Sequence, residues 1–250
     1  MKNIFLLILV FLSTLAWGNA LRDGEKLVFD VRYGMVSAAE ASLELKSTYY
    51  QGKPVWLISS TARTYSFFDV FFKVRDRVES WWDKEKLLPH KFAKNLEEGS
   101  YRQHRIHTYD HTNKTSTYQK WSFKKKSFTT IEMSIPEKTQ DILSAFYLVR
   151  TMDLRVGQRP VVSITVDGVT ANTEIVVHRK EKVKTIFGQI ECLVIEPKLK
   201  GEAVFKQSGR IWIWVTNDAY KIPVKMQSEI TFGSFIAQLK TAENIPYKIK

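Results

Sequence analysis

The chain of 250 residues has one cysteine, Cys192. A single thiol excludes an intramolecular disulfide and any cysteine-based metal cluster, so the fold must rest on packing. A chain of this length can bury enough surface for that. Cys192 lies in Cys-Leu-Val-Ile, an apolar strand pattern that predicts a buried, inert thiol. Glycine and proline are also scarce, at 11 and 7. No low-complexity linker or internal repeat marks a boundary, so residues 21–250 read as one domain. Glycine-rich phosphate loops are absent, which leaves nucleotide binding without support. There is no Gly-x-Ser-x-Gly elbow for a serine nucleophile. The five histidines are His90, His104, His107, His111 and His178. His104 and His107 fall on opposite faces of a strand, and no glutamate or second cysteine completes a zinc set. They read as solvated strand residues. Glu97 and Glu98 are adjacent and point apart, and Glu132 and Glu137 straddle Pro136. These gaps lead us to expect no catalysis, no metal and no cofactor.

The first twenty residues carry the clearest positive signal. Met1-Lys2-Asn3 supplies one positive charge, Ile4 to Leu12 is wholly apolar, and Gly18-Asn19-Ala20 ends in small residues. That pattern predicts a secretory signal peptide cleaved after Ala20. The apolar run is shorter than the roughly 20 residues needed to span a bilayer. Leu21 follows, not cysteine, so lipid attachment at that point is excluded by chemistry. The expected product is an exported, periplasmic protein without a membrane span.

Acidic residues are the other shortage. Asp and Glu number 26 against 38 Lys and Arg, a net charge of +12. A basic exported protein meets anionic lipid headgroups or acidic polysaccharide rather than nucleic acid. The expected partners are therefore a lipid, a lipidated protein or an anionic envelope surface.

Period-two alternation recurs throughout, and Val, Ile, Thr and aromatic content supports strands. Examples are Leu27-Phe29-Val31-Tyr33, Ala41-Leu43-Leu45 and Val74-Asp76-Val78. Tyr101–His111 and Lys114–Phe123 flank the turn signal Thr112-Asn113, and Ile164–Asp167 and Ala171–His178 flank Gly168. Two segments break the pattern. Asp141 is a good N-cap for a helix through Arg150 that is apolar nearly all round and hence buried. Tyr65 to Phe72 predicts one or two helical turns. The fold class is mainly β: about a dozen antiparallel strands in a large curved sheet or half-barrel, with one buried central helix.

Several stretches resemble a bacterial exported family known as domain of unknown function 3108 (DUF3108). They are Phe67–Ser80, Ser144–Arg150, Cys192–Pro197, Gly209–Asp218 and the opening Gly24–Gly34. The resemblance implies a periplasmic protein of Gram-negative bacteria with no established activity. It also implies a β-rich shape similar to the half-barrels that carry lipoproteins across the periplasm.

Phe67, Phe68, Phe71 and Phe72 make one apolar face if helical, and their burial is worth about 1.5–3 kcal/mol each. We expect them to form a core corner or the lip of a cavity for an apolar ligand. Phe146, Tyr147, Trp212 and Trp214 are expected to line the same cavity. Trp212 and Trp214 share a strand face opposite Ile211, Ile213 and Val215, so that strand needs cover on both sides. Arg75 and Arg77 are the expected contacts to an anionic headgroup, because the guanidinium fork suits one. Asp76 between them should pair with an arginine of a neighbouring strand. Lys124-Lys125-Lys126 should sit in a solvated hairpin turn. The leading expectation is a carrier of an apolar ligand; the alternative is an envelope interaction module with a filled core.

Overall fold

The computed structural model describes residues 20–199, 209–229 and 233–249. The expected leader lies outside the described residues apart from Ala20. Fourteen strands are present among them: β1 Glu25–Tyr33, β2 Val36–Tyr50, β3 Lys53–Thr64, β4 Arg75–Asp83, β5 Pro89–Glu98, β6 Tyr101–Asp110 and β7 Thr115–Ser122 form the first run. The second is β8 Ser127–Ser134, β9 Val161–Val166, β10 Val169–Thr185, β11 Gly188–Leu199, β12 Ile211–Thr216, β13 Pro223–Glu229 and β14 Ser234–Glu243. The helices are α1 Ser66–Asp69 and α2 Ile142–Thr151.

All fourteen strands belong to one antiparallel sheet that does not close into a barrel. Its order is β8-β7-β6-β5-β4-β3-β2-β1-β14-β13-β12-β11-β10-β9. The register sets apolar residues across from each other: Leu27 faces Leu43 and Phe29 faces Ala41. Such a sheet cannot leave its apolar face wet, and curling around a rod buries it.

Helix α2 is that rod. Leu143 and Tyr147 pack with Leu45, Ile58, Trp82 and Phe92 from β2 to β5. Ala145 and Val149 pack with Ile175, Val177, Leu193, Ile195, Ile213 and Val215 from β10 to β12. Residues two apart in a helix project to nearly opposite sides, so the two halves of the sheet grip α2 between them. The Asp167-Gly168 turn between β9 and β10 completes the curl by crossing to β5 and β6. Lys94 Nζ lies 2.6 Å from Asp167 Oδ1, and the Gly168 N–H donates to His107 Nε2 at 3.3 Å.

Local chemistry explains why α2 forms. Asp141 accepts from the N–H groups of Leu143 and Ser144 at 2.8 and 2.9 Å, and the Asp141 N–H donates back to Ser144 Oγ at 2.9 Å. This capping box is anchored to β4 by Ser80 Oγ, which donates to Asp141 Oδ2 at 2.6 Å. Burial pushes the Asp141 carboxyl up to about 6 against the pull of those hydrogen bonds. At the other end Arg150 donates to Glu25 from Nη1 at 2.6 Å and Nη2 at 2.8 Å, with both side chains buried. Nη2 also reaches the carbonyls of Ala20 and Tyr220.

The helix is buried as expected, with only Ile142 exposed among residues 142–150. Its buried polar residues, Ser144 and Arg150, are satisfied by the cap and ion pair. Two expectations need correction. His107 is buried at 1% exposure, stacked on Tyr118 at 4.5 Å. It shares the inward parity of β6 with Gln103, Arg105 and Tyr109, and burial pushes its imidazole down to about 4. Asp76 finds no arginine; its Oδ1 accepts the Glu97 N–H at 3.0 Å. Burial, opposed by that bond and reinforced by the charge of Glu98, pushes Asp76 up to about 6.

Candidate functional site at the aromatic rim

In a meander, alternate connections fall at the same end of the sheet. The connections β1–β2, β3–β4, β5–β6, β7–β8, β9–β10 and β13–β14 therefore share one rim. Among the described residues nine aromatic side chains are exposed: Tyr33, Tyr49, Phe67, Phe71, Phe72, Tyr101, Phe123, Phe128 and Phe235. All but Tyr49 stand on those connections or within two residues of them. Met35, at 98% exposure, and Val70, at 84%, lie on the same rim. The opposite rim carries Lys84-Glu85-Lys86, Thr112-Asn113-Lys114 and Asn217-Asp218.

The β3–β4 connection projects farthest in composition. Helix α1 is one short turn without a side-chain cap, yet its base is held by polar bonds. Asp69 is the hub: it accepts from Thr64 Oγ1 at 2.5 Å and from Arg75 Nη1 and Nη2 at 3.0 and 2.5 Å. Those bonds from Arg75 and Thr64 hold its carboxyl below the usual range. Tyr65 OH donates to Asp30 Oδ1 at 3.0 Å on the other flank. Above this base the Phe67 ring meets Phe68 edge-on at 5.2 Å and Phe71 at 6.0 Å. Phe72 lies over Gly99, where an added Cβ would sit 2.8 Å from its ring and where φ is +54°. A side chain there would have to displace the Phe72 ring and hold a left-handed backbone, and glycine avoids both costs.

The eight predicted cavity-lining aromatics separate. Phe67, Phe68, Phe71 and Phe72 share the rim, with Phe67 69%, Phe71 75% and Phe72 55% exposed. They form neither a core corner nor an internal wall, because a four-residue helix on a ten-residue connection has no sheet face to fold onto. Phe146 and Tyr147 belong to α2, and Tyr147 is fully buried with its OH 3.4 Å from Glu25. Trp214 is buried with Phe187, Cys192, Val194 and Ile222, so the second cover of its strand is protein. Half-buried Trp212 lies 4.8 Å from the His178 ring and donates to Glu229 Oε1 at 3.3 Å. Burial pushes the Cys192 thiol up to about 12, as an inert core residue requires.

Where α2 meets β11 and β12, Phe146, Val149, Leu154, Ile195 and Val215 leave no room for a water molecule. An open cleft of about 530 Å³ lies beside Asp30, Arg32, Tyr65, Gln238 and Lys240. Its lining mixes these polar groups with Ile186 and Leu239, and Asp30 is spent within it: Arg32 Nε at 2.6 Å, Ser37 Oγ at 2.8 Å and Tyr65 all donate to it. Arg75 and Arg77 are likewise engaged inside the chain, Arg75 with Asp69 and Arg77 with Glu79 at 2.6 Å. The exposed rim cations are instead Lys73 and Lys124 to Lys126, the last three in the β7–β8 turn as anticipated. Sequence reading missed this rim. The signal was present: Met35, Phe71, Tyr101 and Phe123 fall on every second turn of the meander.

Residues 28–240 match the model of the family described as protein of unknown function (DUF3108). The chain belongs to DUF3108. A search of curated proteins returns no match. Among solved structures, the DUF3108 chain is similar to a β-barrel-like protein of domain of unknown function DUF1849 from Brucella abortus. The TM-score is 0.58 at 9% identity, covering 90% of this chain and 99% of that one. A Bacteroides fragilis protein with a YmcC-like fold aligns at TM-score 0.34 and 7% identity, over 89% of this chain and 96% of that one. The Brucella likeness is one of fold. No helix among the described residues is long and apolar enough to cross a membrane.

Proposed function

We propose that this DUF3108 protein is an exported, non-catalytic module of the cell envelope that works by surface contact through its aromatic rim. The observation that carries the reading is the segregation of exposed aromatics: eight of nine sit at one end of the sheet. Apolar side chains scattered singly over a surface need no explanation, but a concentrated patch marks a contact site. The close packing of α2 against β11 and β12, without room for water, favours this reading over a carrier with an internal apolar cavity. The polar base under the Phe67–Phe72 loop supports it further, because a pinned loop presents its rings without paying much ordering entropy on contact.

Cell fractionation tests the proposal. The wild-type chain should sediment with the envelope, whereas a Phe67→Ser, Phe71→Ser, Phe72→Ser variant should appear in the osmotic-shock fluid. Equal release of both chains overturns the rim as a contact surface. Native mass spectrometry of gently purified protein checks the interior, and the expected mass is that of the polypeptide alone.

A further inference from the structure

We infer that the rim docks on the surface of an anionic lipid bilayer, its phenylalanine loop entering the boundary between headgroups and acyl chains. The inference rests on the contact-surface reading above and names the partner. Two independent features of the rim meet in it. One is shape and polarity: Phe67, Val70, Phe71 and Phe72 stand on a single connection at 55% to 84% exposure. Tyr33 and Phe235, whose rings are 5.3 Å apart, and Tyr101 stand on neighbouring connections. Aromatic side chains favour the zone between water and hydrocarbon, where an apolar body and a polar tip are both accommodated. A flat protein partner bears no special relation to a row of turns, whereas a bilayer offers one plane to all of them.

The other feature is charge. Lys73 adjoins Phe72, and Lys124-Lys125-Lys126 follows Phe123 on the β7–β8 turn. All four lysines are exposed. The rim acids are already occupied within the fold: Asp69 by Arg75 and Asp167 by Lys94. Asp76, Glu97 and Glu98 lie at the strand ends behind the loop, with Asp76 held by the Glu97 N–H and Glu97 near Arg102 at 3.9 Å. Lys73 and Lys124 to Lys126 thus add exposed positive charge to the rim, on a chain whose net charge is +12. Apolar insertion and electrostatic attraction to anionic lipid reinforce each other at a membrane interface, and this rim supplies both.

Flotation with lipid vesicles tests the inference, using protein purified from the exported fraction of producing cells. Wild-type protein should float with phosphatidylethanolamine–phosphatidylglycerol vesicles at low salt and less so at high salt. It should float poorly with phosphatidylcholine vesicles. The Phe67→Ser, Phe71→Ser, Phe72→Ser variant should lose about a hundredfold or more in partitioning, since each phenyl group leaving the acyl boundary is worth about tenfold. A Lys124→Gln, Lys125→Gln, Lys126→Gln variant should lose at least about tenfold, and its salt dependence should flatten. Unchanged thermal melting shows that both variants are folded. Equal flotation on neutral vesicles overturns the anionic assignment. If no vesicle binds while the phenylalanine variant is still released from cell envelopes, the partner is a protein; the lipid inference falls and the contact-surface reading stands. If no vesicle binds and the variant fractionates like wild type, both fall.

Discussion

Residues 67–72 and residues 142–151 look alike as strings. Each is short and crowded with apolar residues, yet one stands in water and the other fills the centre of the sheet. The difference lies in what flanks them. The 142–151 segment opens on a capping box tied to β4 and closes on a buried guanidinium bound to β1. Both ends are thereby fixed to strands of the sheet, β4 and β1. The 67–72 segment has no cap and four helical residues, and its polar bonds lie beneath the rings. Apolar content alone therefore does not decide burial; the polar anchors decide which way the apolar face is turned.

The comparison can be broken most sharply at Glu25. Replacing it by glutamine leaves Arg150 charged and unpaired in the interior, which should cost about 3–5 kcal/mol and lower the denaturant midpoint accordingly. A Glu25→Leu, Arg150→Met double variant should recover most of that loss, because well-packed apolar pairs replace buried ion pairs at little cost. A double variant as unstable as the single one would show that the geometry of the pair, not its charge balance, holds the helix end.

Next in size is the cap. Asp141→Ala removes the acceptor of two helix N–H groups and of Ser80, and should cost about 1–2 kcal/mol at pH 7. Asp141 also predicts a pH dependence. Its folded carboxyl titrates at about 6, above the usual value of about 4, so the folded state binds the proton more tightly than the unfolded chain. Its stabilising contribution is complete below about pH 4 and is lost as pH rises through 6. Asp76 acts in the same window and direction. Asp141→Asn, which keeps an acceptor, should flatten the fall in denaturation midpoint between those pH values; an unchanged slope assigns it to Asp76 or elsewhere.

The smallest effect on stability belongs to the rim. Phe71→Ser should shift the melting free energy by no more than about 0.5 kcal/mol, since the side chain is 75% exposed. The same variant should weaken envelope association. A large destabilisation would place Phe71 in a packing role and blur the contrast with α2.

Much of the fold was legible in the residues. Alternation located most strands, Thr112-Asn113 and Gly168 marked true hairpins, and Asp141 marked a true helix start. These are local signals, carried by residues within a few positions of each other. The rest depends on distant partners. Arg150 meets Glu25 across 125 positions, and nothing near either residue announces the other. His107 looks like any polar strand residue until the Asp167-Gly168 turn closes over it. The phenylalanines of the rim read as one face if helical, but the helix ends at Asp69, and a face does not say what it looks at. Arg75 and Arg77 were chosen for their chemistry, and nearby carboxylates had already claimed that chemistry.

The pairing of β1 with β14 has a consequence for how the molecule is made. The two strands that meet at the heart of the sheet are the first and the last of the fourteen to leave the ribosome. A growing chain can lay down the flanking hairpins early, but the seam joining them waits for residues 234–243. Until then the two halves meet through α2 and the Asp167-Gly168 turn. Helix and turn can hold the pieces together, but only the last described strand makes them one continuous ladder.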